Sequence, residues 1–97
     1  MEWQVRLTPK AREQWISLDP GLRDEVGLQV IEMCDDPFSL LRRSGAMGEP
    51  PGYWILECAT TLDIALRIRL FFDEVREEGE LTLVMIASFR ESDEDRQ

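Results

Sequence analysis

Arginine dominates the basic residues of this 97-residue chain: ten of its eleven Lys and Arg are Arg. The planar guanidinium is suited to gripping phosphate or carboxylate through two parallel hydrogen bonds. Two arginines fall in the stretch ALRIRLFFD, residues 65–73. Read as a strand, it sends Ile64, Leu66, Ile68, Leu70 and Phe72 to one face and Ala65, Arg67, Arg69 and Phe71 to the other. The first set is an unbroken apolar row. The second places two arginines side by side in a chain of net charge −9. Three partners suit them: a phosphate on an open sheet face, acidic groups of a partner protein, or Glu57 on the neighbouring strand. An exposed ion pair of the last kind is worth only about 0–1 kcal/mol. Arg90 closes the last apolar run and has Glu91 and Asp93 as nearby internal partners. Arg42 and Arg43 lie in a Gly-rich connection, where they read as a solvated pair or as a grip on an anionic backbone.

Other chemistry is bounded by what the chain lacks. It has no His, which excludes imidazole acid–base catalysis. Its two cysteines, Cys34 and Cys58, fall in a helical and a strand-like segment and read as buried free thiols rather than a disulfide. No close Cys pair or His offers zinc-ligand spacing, so no metal and no cofactor is expected. The excess of 20 Asp and Glu over 11 Lys and Arg opposes broad nucleic-acid binding, which needs a positive field. A local basic patch remains compatible with it. No window approaches the roughly 18 consecutive apolar residues of a membrane helix. The opening MEWQVRLTPK lacks the layout of a secretory signal. A cytoplasmic protein without membrane contact is the expectation.

The elements that must position the arginines follow from periodicity. In EWQVRL, Trp3, Val5 and Leu7 alternate with Glu2, Gln4 and Arg6, a half-buried strand. Thr8-Pro9 and Asp19-Pro20 are each an N-cap followed by Pro at the first helical position. The first helix carries Ala11, Trp15 and Leu18. The second carries the stripe Leu22, Val26, Val30 and Met33 and is closed by Pro37. Gly27 marks close approach of the two helices. Almost no loop separates them, so they form a hairpin or an elbow. Residues 38–52 read as a connection. Three strands follow at 53–59, 63–72 and 80–89, joined by polar links. In the last, Leu81, Leu83, Met85 and Phe89 fall on one face and Val84 and Ile86 on the other. An apolar second face implies a cover, such as a partner chain.

The order β-α-α-β-β-β defines a two-layer α+β domain over residues 1–90, an antiparallel sheet covered on one face by the N-terminal helix hairpin. Residues 91–97 form an acidic, flexible tail. The arginines of the third strand then lie on the sheet face away from the helices.

With these residues in place, the chain resembles the RelE/ParE superfamily of bacterial toxins over residues 3–91. The resemblance rests on VRLTPKAREQW, on SLDPGLRDEVGLQVIEMCDDP, on LRIRLFFD and on IASFRE. It implies the toxin of a type II toxin–antitoxin pair, neutralised by a cognate antitoxin segment wrapped over it. RelE-like members cut messenger RNA on the ribosome without a metal; ParE-like members share the fold and poison DNA gyrase. Carried over by motif, the catalytic arginines fall on Arg67 and Arg90, with Arg69, Arg42 and Arg43 as RNA- or partner-binding residues. In metal-free cleavage such arginines neutralise the phosphorane. The chain departs from the RelE-like pattern elsewhere. Trp54 and Leu56 stand where some members have lysines, and RESDEDRQ holds no tyrosine. The alternative is therefore a non-enzymatic relative on the same scaffold, a gyrase inhibitor or a catalytically depleted protein-binding domain.

Overall fold

A computed structural model describes residues 2–46, 48–73 and 79–91. Strand β1 (Gln4–Leu7) leads into helix α1 (Pro9–Ser17) and, after Leu18 and Asp19, helix α2 (Pro20–Asp35). Both start signals act as their chemistry dictates. Thr8 is extended, its hydroxyl accepts from the Ala11 N–H at 3.2 Å, and Asp19 accepts from the Gly21 N–H at 2.9 Å. Each cap satisfies an amide that the helix leaves unpaired. Pro37 ends α2 and opens a single-turn helix, α3 (Pro37–Leu40). Strands β2 (Arg42–Arg43), β3 (Trp54–Ala59), β4 (Leu66–Phe72) and β5 (Glu80–Arg90) complete the fold.

The domain is α+β, with a five-stranded sheet in the order β1-β5-β4-β3-β2. The pairs β2–β3, β3–β4 and β4–β5 are antiparallel, as expected, but β1 runs parallel to β5, so the sheet is mixed. The connection expected over 38–52 contributes two elements of its own, α3 and β2. Both are too short for a periodicity signal.

Helix α1 packs over β5 and α2 over β3. Between the layers, Ala11, Val26 and Met33 meet Leu56, Cys58, Ile68, Leu70, Phe72, Leu81, Leu83 and Ile86. Each large side chain buried there contributes about 1.5–3 kcal/mol. Leu22, Val30, Trp3 and Trp15 flank this core, so the α2 stripe faces the sheet as its spacing predicts. Trp15 lies against Gly27, where a Cβ would stand 3.8 Å from its ring. Among the described residues, no helix is long and apolar enough to cross a membrane.

Two local departures matter for the site. β4 begins at Leu66 rather than 63, and Ile64 is 87% exposed. Asp63 accepts from the Ala65 N–H at 3.2 Å, a side-chain turn that holds the chain out of the ladder. The second departure is a bulge. Phe71 pairs with Met85 but Phe72 pairs with Leu83, so one extra residue enters β5. Leu81, Leu83 and Ile86 therefore share the core face, while Met85 and Phe89 turn to the other. Strict alternation placed Met85 and Phe89 with Leu81 and Leu83, and the inserted residue overturns that grouping. Gln14 of α1 accepts the Ile86 N–H just beyond the bulge, at 2.8 Å.

Candidate functional site

The sheet register assigns each arginine to a face. Glu57 pairs with Arg69, and Arg69 with Ala87; Ala59 pairs with Arg67, and Arg67 with Phe89. Arg42 pairs with Ile55. Directly opposed residues share a face, so Arg42, Arg67 and Arg69 all stand on the side away from the helices. Arg43 pairs with Trp54 and Arg90 with Leu66, which puts those two on the helix side. The Arg43 guanidinium lies 4.8 Å from the Trp54 ring centre. Trp54 is thereby placed: it packs on the core and meets Phe38 edge to face.

At the middle of the open face, Arg42 and Arg69 converge on Glu49, a residue of the connection between β2 and β3. Arg42 donates through Nη1 to Oε1 at 3.0 Å and through Nη2 to Oε2 at 2.7 Å. Arg69 Nη1 stands 3.3 Å from Oε2. The backbone N–H groups of Gly45 and Ala46 add donors to Oε1 at 3.3 and 3.0 Å. Only 2% of the Glu49 side chain is exposed. The Arg42 fork, helped by those amides, holds its carboxyl down at about 2, against the opposing effect of burial. Glu49 in turn raises the Arg42 pKa.

Glu57 completes the network. It accepts from Arg69 Nε at 2.7 Å and lies 3.9 Å from Arg42 Nη2. Of the three partners open to Arg69, the structure provides the cross-strand pair with Glu57 and adds Glu49. The Arg69 guanidinium also lies 4.0 Å from the Phe89 ring centre, a contact that favours a cation over an aromatic face. Beside the network, Ile55 and Phe71 are buried and the Tyr53 ring meets Phe71 edge to face. Of the last strand's residues for which a cover is expected, Ile86 lies in the core beneath the helices, and on the open face it is Phe89 that the Arg69 guanidinium covers. The backbone of the connection requires glycine where Gly48 and Gly52 adopt φ of 84° and 91°.

Arg67 and Arg90 have separate partners. Arg67 donates to the Ile64 and Leu66 carbonyls at 2.7 and 3.0 Å and pairs with Glu91 at 3.3 Å. Arg90 pairs with Asp63, whose pKa it lowers. The expected internal partners of Arg90 were Glu91 and Asp93. Glu91 instead serves Arg67, and Asp93 lies outside the described residues, as does the rest of the acidic tail from 92 to 97. Glu91 itself is tied to the sheet through its N–H to the Ala65 carbonyl at 2.8 Å.

Glu49 and Glu25 are the site residues that sequence reasoning passes over. Glu49 carries a legible signal, being the only charged residue between Arg43 and Glu57. Glu25 has none. Its carboxylate accepts from both hydroxyls of Thr60 and Thr61 and from the Thr61 N–H at 3.0 Å, which pins the β3–β4 turn to α2. The same hydrogen bonds lower its pKa.

On the helix side, an apolar cavity of about 310 Å³ opens between β1 and the two helices, lined among others by Val5, Leu7, Trp15, Val30 and Ile31. Leu7, Ile16, Leu28 and Ile31 are exposed. The molecule is therefore a two-layer α+β domain with a closed charge network on one sheet face and an apolar groove along the other layer. Comparison with protein families, with curated proteins and with solved structures finds no match to this chain.

Proposed function

We propose that the protein is the toxin-type component of a type II toxin–antitoxin pair, RelE/ParE-like in architecture, acting in the cytoplasm by binding protein rather than by cutting RNA. The element order, with a helix pair on one face of the sheet, supports the architecture. One observation carries the choice of mechanism. Arg67 and Arg90, the pair that metal-free cleavage would bring to one phosphorane, stand on opposite faces of the sheet and each has its own carboxylate.

The remaining basic groups do not replace them. The chain's single lysine, Lys10, lies in α1 on the other layer. Positive charge on the open face is balanced by Glu49, Glu57 and Glu91. The groove at β1, α1 and α2 offers an apolar seat for a protein segment. Arg12 and Arg23 border its continuation beside Leu7 and Ile16, so an antitoxin segment combining apolar and acidic side chains fits it. A gyrase-type target is a second protein partner of this class.

Induction of the protein alone tests the reading. Growth arrest with intact messages, unchanged in Arg67→Ala, is the expected result. Normal growth sinks the toxin assignment. Ribosome-dependent message cleavage that disappears in Arg67→Ala restores the ribonuclease.

A further inference from the structure

The Arg42–Glu49–Arg69 cluster goes beyond that reading and stands without it. Four hydrogen-bond donors converge on the two Glu49 oxygens, Nη1 and Nη2 of Arg42 and the N–H groups of Gly45 and Ala46, and Arg69 Nη1 adds an ion pair at 3.3 Å. A carboxylate offers about four lone-pair positions, so these donors fill them and the Arg69 guanidinium stands beside a carboxylate already satisfied. Two guanidiniums and two adjacent amides facing one point are what an oxyanion receptor needs.

We propose that Arg42, Arg69 and the Gly45 and Ala46 amides form a binding site for a singly charged oxyanion, with the Glu49 carboxylate as its internal occupant. Charge sets the ligand class. With Glu49 and Glu57 both ionised, the two arginines are balanced; with Glu49 withdrawn, the cluster carries one net positive charge. A monoanion restores the balance, whereas a dianion would face Glu57, which keeps its own hold on Arg69 Nε at 2.7 Å. Carboxylates and monoanionic phosphoryl groups share this chemistry. A tetrahedral group offers the Arg69 guanidinium an oxygen beyond the two that a carboxylate has. In the unaltered protein an external anion competes with a tethered one, so binding is weak until Glu49 is displaced.

Glu49→Ala removes the competitor and leaves every donor in place. The wild type and the variant are titrated at pH 6, where inorganic phosphate is mostly monoanionic and acetate is ionised, with either anion against chloride at matched ionic strength, following the amide signals of Gly45 and Ala46. The variant is expected to bind at least one anion saturably and at least tenfold more tightly than the wild type. Adding Arg69→Ala to it should abolish the gain. Response to both anions identifies a general oxyanion site; response to phosphate alone assigns it to phosphoryl groups. If the variant is unfolded in chloride, phosphate should refold it in proportion to its concentration. No gain with either anion, a gain that survives Arg69→Ala, or a variant unfolded at every phosphate concentration overturns the proposal.

Discussion

Arg67 and Arg90 emerge from neighbouring strands on opposite faces of the sheet, because Arg67 lies across from Phe89 and Arg90 across from Leu66. Their environments are correspondingly independent, one tied to Glu91 and the other to Asp63. Arg67→Ala is expected to lower stability by about 1 kcal/mol or less, the value of a partly exposed pair. Arg90→Ala, at a more exposed side chain, should shift the urea midpoint less. The double variant should be additive within about 0.5 kcal/mol. Strong coupling in a double-mutant cycle would show that the two act together after all.

Glu49 gives the open face a pH signature. Its folded-state pKa of about 2 lies below the ordinary 4.5, so as pH falls the unfolded chain takes up the proton first. The stabilisation is complete above about pH 4.5 and is lost as pH drops towards 2. Its size is on the order of 3 kcal/mol. Glu49→Gln should cost about that much at neutral pH and almost nothing at pH 2. Urea unfolding of both proteins across this range checks it. Parallel curves for the two would mean that the carboxylate is not held by the arginines.

Glu25 fastens the β3–β4 turn through Thr60 and Thr61. Glu25→Ala should raise hydrogen exchange at the Thr61 amide at least tenfold while leaving the Leu70 amide in β4 unaffected. Equal acceleration at both would show global destabilisation instead of a loosened turn.

Cys58 is 1% exposed, and burial pushes its thiol up to about 12. It should resist a thiol reagent in the folded protein at pH 8 and react fully in denaturant. Cys34 is 8% exposed with its pKa also raised by burial, so it should react slowly but ahead of Cys58. Rapid native labelling of Cys58, read by mass spectrometry, would contradict its burial.

Caps and periodicity made the helices legible, since Thr8-Pro9 and Asp19-Pro20 act locally and the α2 stripe has a single buried side. The alternation of β4 likewise fixed the shared face of Arg67 and Arg69. Alternation failed in β5 because one inserted residue reverses the facing of everything after it, and nothing in LTLVMIASF announces an insertion. The parallel pairing of β1 was hidden for another reason: it depends on a partner at the far end of the chain. The separation of Arg67 from Arg90 needed that same long-range register. Glu49 was visible as an isolated charge in a Gly- and Pro-rich connection, but only the folded path of that connection brings it beneath two arginines.

The parallel pairing of β1 with β5 also sets a timetable for synthesis. Gln4 is made 76 residues before its partner, Glu80. At about 5–20 residues per second, β1 waits roughly 4–15 s for its neighbour to be made. From Asp35 onward α1 and α2 are complete while the sheet strand beneath α1 does not yet exist. Non-local pairing of this kind slows folding as well. The nascent chain therefore carries an uncovered strand edge and bare apolar helix faces until β5 emerges.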